Sequence, residues 1–297
     1  MRIAVTGASG FVGGHLVQLL RARGDEVVVL ARGSAWQPAT GAIDQAALGT
    51  VDAVVHLAGE NIASGRWTAA KKRAIADSRG PVTEKLCRAL AALPQRPHTL
   101  IAASATGIYG ARGDERLDET SALAPPGDFL GDVARAWENA TEPARTTGIR
   151  VVNLRIGMVL DPAGGALAKM LLPFKLGIGG RLGSGRQWTS WIALDDLARA
   201  IAFAIDHEEL RGPVLAVAPH PVQNREFTAA LGAALHRPTF LPVPGFALRL
   251  LFGEMADALL LGGQRAVPGK LPEAGFEYEH TEIGPTLRAL LGREENP

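Results

Sequence analysis

Over the first half of the chain, short runs of β-branched and aliphatic residues alternate with longer stretches whose apolar positions recur every three or four residues. RIAVTG (2–7) reads as a short buried strand, and FVGGHLVQLLRARG (11–24) as an amphipathic helix closed by a glycine. EVVVLAR (26–32), AVVHLAG (53–59) and TLIAASA (99–105) supply a second, third and fourth strand. Between the third and fourth lies a helical pattern over 69–93, broken near Gly80-Pro81. A helix over 131–147 and the strand IRVVNLR (149–155) follow. This alternation predicts an α/β fold, a doubly wound parallel sheet with helices on both faces. Its ligands are expected at the carboxyl ends of the strands.

The second half is less regular. MLLPFKLGIGGRLGSGRQW (170–188) is rich in glycine and arginine and reads as a loop or lid over the cleft. A helix over 194–206, a strand over 212–218 and a helix over 225–235 restore the alternation. RPTFLPVPG (237–245) interrupts it with three prolines, and a small, mostly helical appendage starts at Phe246. The expected division is a nucleotide-binding domain over 1–160, completed by about 190–235. Residues 161–190 and 236–297 then form the lid and a small C-terminal domain on the substrate side.

Composition narrows the class. Hydrophobic residues make up 47% and charged ones 21%, which suits a soluble globular protein. Thirty-one basic against thirty acidic side chains leave a net charge of +1, so neither nucleic acid nor an anionic membrane is an expected partner. The densest basic run, AAKKRAIADSRG (69–80), reads as a solvated helix face. Cys87 is the single cysteine and the seven histidines are scattered, so no disulfide, thiolate cluster or metal is expected. The strand pattern begins too early for a cleavable signal, and no apolar run approaches the roughly 18 residues of a membrane span. The expected compartment is the cytoplasm.

The first strand runs straight into GASGFVG (7–13) and a helix. Gly7 suits the tight turn, Gly10 lets a pyrophosphate approach the backbone, and Gly13 lets helix and strand pack closely. Ser9, Phe11 and Val12 complete the loop whose N–H groups would meet the phosphates. The second strand ends in Arg32, where an acid would favour the ribose 2′-hydroxyl of NAD. A guanidinium suits a 2′-phosphate, so NADP(H) is favoured over NAD(H). Leu57, Ala58, Gly59 and Glu60 close the third strand on the cofactor side, and His56 reads as a packed residue.

GASGFVG, HLAG (56–59) and SATGIYG (104–110), in this order, resemble the extended branch of the short-chain dehydrogenase/reductase superfamily. LAGENIASGRWTAAKKRAIADSR (57–79), GRQWTSWI (185–192) and PVQNREF (221–227) are similar to one atypical subgroup, the epimerase family proteins labelled NAD-dependent epimerase/dehydratase-like. The tail from about 246 to 292 resembles the domain of unknown function that accompanies this subgroup. The resemblance covers nearly the whole chain. It implies a Rossmann domain, a nicotinamide cofactor, and oxidoreductase or nucleotide-sugar epimerase chemistry.

That chemistry normally rests on a tyrosine four residues before a lysine, the lysine lowering the phenol's pKa so that it can trade a proton. Here Tyr109 is followed four residues on by Gly113 and Tyr278 by Glu282, so no such pair exists. In GDFLGDVARAWE (127–138), alignment on Glu138 puts Leu130 at the tyrosine position and Ala134 at the lysine position. Ala105 stands where a serine or threonine is usual, and Ala193 where the subgroup commonly has a histidine.

Other polar groups are candidates for catalysis. Glu60 would be a base if burial raised its pKa, and Ser104, Thr106 or Tyr109 could orient a substrate. Arg155 is expected at the same cleft edge. Arg181, Arg186, Gln187, Trp188, Ser190 and Trp191 suggest a substrate-side subsite that stacks a ring and grips an anion. Asp195 and Asp196 read as helix N-terminal charges. Two functions stay open: an NADP-dependent oxidoreductase or epimerase-like enzyme acting on a small polar substrate, and a non-catalytic NADP(H) sensor that signals to a partner protein. A homodimer is compatible with either.

Overall fold

The computed structural model describes residues 1–33 and 35–292. Six parallel strands form its centre: β1 (Arg2–Thr6), β2 (Glu26–Leu30), β3 (Ala53–His56), β4 (Thr99–Ala105), β5 (Arg150–Ile156) and β6 (Gly212–Ala216). Their spatial order is β6-β5-β4-β3-β1-β2. Val5 of β1 pairs with Val29 on one side and Val55 on the other, so the winding reverses at β1. A reversal of this kind opens a crevice at the strands' carboxyl ends.

Helices cover both faces because the strands are apolar on both sides. On one face α1 (Phe11–Ala22) and α6 (Leu194–Asp206) bury Leu16, Leu20, Leu197 and Ile201 against Ile3, Val5 and Val152. On the other, α3 (Gly80–Ala91) buries Leu86, Cys87 and Leu90 with Trp36, Leu48 and Val54. Arg150, buried at the start of β5, donates to the carbonyls of Ala204, Ile205, His207 and Leu210. It thereby satisfies the free carbonyls of Ala204 and Ile205 at the end of α6 and ties down the turn that follows.

The helical pattern over 69–93 resolves into α2 (Ala69–Asp77) and α3, with Pro81 in the first turn of α3, where a missing N–H costs nothing. The helix expected over 131–147 starts earlier, as α4 (Phe129–Asn139), because Asp128 accepts the Gly131 N–H at 2.7 Å. The lid also differs from expectation. Its first residues belong to α5 (Gly165–Lys175), which buries Leu167, Leu171 and Phe174 despite Pro173. The cores under α5 and α7 (Asn224–Leu235) join around Trp191, Phe227 and Leu231 and take in Leu287 of α8 (Ile283–Leu290).

The C-terminal region is tied down by two carboxylates. Asp196, fully buried, accepts from the amides of Glu279 and His280. Buried Glu119 accepts from the amides of Leu215, Gly269 and Lys270. Asp196 is therefore more than a helix N-terminal charge.

Candidate active site

Gly7 sits at φ +71°, and a Cβ there would lie 2.9 Å from the Ala58 nitrogen. A Cβ on Gly13 would lie 2.1 Å from the Gly7 carbonyl oxygen, so α1 rests on the turn with no room for a side chain. Gly10 donates to that same oxygen at 2.9 Å. No side chain caps α1 and its first turn holds no acid, while Ser9 and Gly10 are exposed. An uncapped helix N-terminus beside an open glycine turn is a place for a phosphate. The ring of Phe11 packs under Gly164 and Gly165, which brings the turn after Met158–Asp161 against the cradle.

Arg32 is exposed at the end of β2 and makes no ion pair among the described residues. Its charge reaches Glu60, beyond Leu57, Ala58 and Gly59 at the end of β3. The Glu60 carboxylate is partly exposed and meets Lys71 Nζ at 2.5 Å. Lys71 holds Glu60 below the ordinary carboxylate range, so the expectation of a base with a raised pKa is corrected. Arg79 donates to the Glu60 carbonyl at 3.0 Å, and its guanidinium lies 4.9 Å from the Trp137 ring centre. Burial lowers its pKa to about 10, still protonated at neutral pH. Residues 69–80 are thus not simply a solvated face. Lys71 turns inward to the Glu60 carboxylate and Arg79 to its carbonyl, and the charges of Arg79 and Arg32 add a weaker pull on the same carboxylate.

His56 is buried between Thr6 Oγ1 at 2.7 Å and Thr83 Oγ1 at 2.9 Å. Burial lowers its pKa to about 4, so it is a neutral structural group.

The residues after β4 and β5 form a closed network. Ser104 Oγ donates to Glu138 Oε1 at 2.8 Å, and Arg155 Nε reaches the same oxygen at 2.8 Å. Arg155 also donates to the Tyr109 hydroxyl, which donates to the Asp118 carbonyl, both at 2.8 Å. Tyr109 is fully buried, and that burial pushes its pKa up to about 12. Ser104, Tyr109 and Arg155 are therefore corrected from cleft groups to a buried scaffold. Glu138, which organises them, was missed as a partner because it lies 17 to 34 residues away in sequence.

The ring-and-anion subsite expected in the lid does not assemble. Ser190 Oγ is buried, donating to the Gln264 carbonyl at 2.7 Å and accepting from the Ala266 amide at 2.9 Å. Trp188 gives its indole N–H to Asp114 at 2.6 Å, and Arg265 covers its ring at 4.5 Å. Trp191 is core, and Arg181 and Arg186 are exposed. Gln187 donates to the carbonyls of Leu182 and Leu260.

A cavity of about 270 Å³ opens instead beside the turn Thr106–Tyr109 and the start of α4. Trp67, Gly107, Gly110, Phe129, Leu130 and Gln264 line it. Gln264 bridges Thr106 and the Gly110 carbonyl, joining the C-terminal region to this wall. A Cβ on Gly107 would lie 3.4 Å from Leu130 Cβ, which seats Leu130 against the turn where the superfamily's tyrosine is expected. Ala134 is buried one turn on. A larger depression of about 1000 Å³ lies between α3 and α4, but no strand-end residue lines it.

This arrangement has close relatives. Residues 3–218 match the NAD dependent epimerase/dehydratase family, and residues 243–290 match a domain of unknown function, DUF1731. The chain belongs to the NAD dependent epimerase/dehydratase family. It is 46% identical over 292 residues to the epimerase family protein MT2273 of Mycobacterium tuberculosis, covering 96% of each chain. It is 37% identical over 301 residues to human epimerase family protein SDR39U1, covering 98% of this chain and 100% of the relative. The crystal structure of human SDR39U1 (isoform 2) with NADPH superposes with a TM-score of 0.90 at 34% identity, over 99% of this chain and 100% of that one. A UDP-galactose 4-epimerase structure, at 20% identity and a TM-score of 0.72, shares the fold.

Proposed function

We propose that the chain binds NADP(H) across the carboxyl ends of β1–β3 and exchanges a hydride with a small molecule held in the 270 Å³ cavity. The observation that carries the reading is the uncapped α1 N-terminus at Gly7–Gly13, with an exposed Arg32 after β2 that makes no ion pair among the described residues. Gly10, Phe11 and the helix amides would receive the pyrophosphate, and Arg32 the 2′-phosphate. The NADPH in the human relative supports the same choice of cofactor. Bound there, the cofactor supplies a hydride donor or acceptor. Glu60 would hold a ribose hydroxyl rather than move a proton, because Lys71 lowers its pKa and so weakens it as a base.

A second reading, a non-catalytic NADP(H) sensor, draws on one observation: Leu130 and Ala134 offer no proton-transfer group, while Ser104 and Tyr109 are already engaged. Transfer of deuterium from labelled NADPH to any compound in a metabolite extract decides for the enzyme.

The cofactor reading itself is tested by titrating the protein with NADPH and NADH, followed by fluorescence, for the parent chain and Arg32→Ala. The expected result is saturable NADPH binding that the substitution weakens about tenfold or more, with NADH little changed. Absence of binding by either nucleotide overturns it.

A further inference from the structure

Three features of the 270 Å³ cavity restrict what can enter it. The first is size. Sites that enclose a drug-sized ligand run from about 300 Å³ upward, and a nucleoside diphosphate sugar is larger than most such ligands. The second is the wall. Trp67 and Phe129 meet edge to face with ring centres 5.2 Å apart, and Leu130 with several glycines completes a surface fit for a flat ring.

The third is charge. Among the described residues, the ionisable side chains lining the cavity are Asp128, Glu254 and Asp257, with no lysine, arginine or histidine. Glu254 is paired with Lys72 at 2.7 Å and Asp257 with Arg249 at 2.9 Å. Asp128 has no cationic partner among the described residues. Its Oδ1 accepts from Gly131 at 2.7 Å, and its Oδ2 lies 3.7 Å from where a Cβ on Gly110 would stand. With Glu254 and Asp257 countered by their cations, a phosphate placed here would face the carboxylate of Asp128, at a partly dehydrated wall where repulsion is screened less than in water. A cation is tolerated at the same wall: Lys72 Nζ already lies 4.5 Å from the Phe129 ring centre.

We infer that this site takes a compact, ring-bearing substrate that is uncharged or cationic, and that it excludes nucleoside diphosphate sugars. The inference rests on the NADP(H) reading for placing the reaction at this end of the cleft. The arguments from size and charge do not depend on it.

The test uses the full chain saturated with NADPH and observes ligands by saturation-transfer NMR. The probes are benzylamine, benzyl alcohol and benzoate, matched in size, together with UDP-glucose. Benzylamine and benzyl alcohol are expected to bind, benzoate about fivefold more weakly or worse, and UDP-glucose to leave the benzyl alcohol signal untouched. Glu254→Gln, at an exposed position, is expected to move the benzylamine-to-benzoate preference toward benzoate, because Lys72 loses its countercharge. Trp67→Leu is expected to weaken every ring probe. Displacement of benzyl alcohol by UDP-glucose, benzoate binding as well as benzylamine, or no ring probe binding at all overturns the inference. A flat NADPH titration with the ring probes still sorted by charge defeats the cofactor reading and leaves this one standing.

Discussion

Arg155 and Glu138 form a two-pronged ion pair almost sealed from water, Nε to Oε1 at 2.8 Å and a terminal nitrogen to Oε2 at 2.9 Å. The pair joins β5 to α4 and sets the Tyr109 hydroxyl and Ser104 around it. Breaking a buried pair from one side leaves an uncompensated charge, at a cost of about 3–5 kcal/mol. Glu138→Gln is therefore expected to lower the unfolding free energy by that amount, read as a fall in the urea midpoint at an unchanged m-value. Tyr109→Phe should lose only about 1–2 kcal/mol, the worth of its hydrogen bonds. If Tyr109→Phe instead abolished turnover at unchanged stability, Tyr109 would be a catalytic group and the scaffold reading would fail.

The cradle gives a sharper contrast between two glycines one position apart. A Cβ on Gly13 would sit 2.1 Å from the Gly7 oxygen, whereas one on Gly14 would sit 3.6 Å from the Ala8 oxygen. Gly13→Ala can fold only if α1 shifts away from the turn. We expect it to cost about 1–3 kcal/mol or more and to abolish NADPH binding. Gly14→Ala places an alanine inside α1 without a clash, and is expected to gain about 0.5–1 kcal/mol. Thermal melts with and without NADPH measure both, and equal behaviour of the two variants would remove the close-packing argument.

Why the cradle was legible and the network was not follows from distance along the chain. Gly7, Gly10 and Gly13 act within one turn, so their spacing alone announces a strand, a phosphate loop and a helix. The alternation of strands and helices is equally local and announced the six-stranded parallel sheet. Glu138, Glu119 and Asp196 work through partners as much as 151 residues away, and no local pattern marks them. Lys71 and Arg79 were hidden differently. Helical periodicity shows that a face is polar, but not that Glu60 waits opposite it. The lid misled because Pro173 and the following glycines outweighed the apolar spacing of Leu167, Leu171 and Phe174.

Asp196 holds the C-terminal segment to the start of α6 by accepting two amides, Glu279 at 3.0 Å and His280 at 2.9 Å, and it also meets Arg199. Asp196→Ala leaves both amides without their acceptor in a partly buried place, at up to about 1 kcal/mol for each hydrogen bond lost. The expected result is faster amide hydrogen exchange at residues 277–281, with exchange in β1 and β4 slowed as in the parent. Uniform acceleration across the sheet would instead make Asp196 part of the global core rather than a local clasp.

His56 gives the protein a pH dependence whose sign is fixed by its burial. Its folded pKa, about 4, lies below the ordinary value of 6.5 because the ring is taken out of water between Thr6 and Thr83. Between these two values the unfolded chain binds a proton that the folded chain refuses. Stability from this group is therefore fully present above pH 6.5, falls as the pH drops through the window, and levels off below about 4. The total effect is on the order of 3 kcal/mol. Replacing the ring by an amide, His56→Asn, removes the titrating group while keeping polar atoms between the two threonines. Urea unfolding at pH 7, 6, 5 and 4.5 should show the parent losing stability more steeply than the variant, with the two curves converging toward acid. Parallel curves would mean that His56 takes up a proton as readily in the folded chain as in the unfolded one, and that the acid sensitivity lies with the carboxylates.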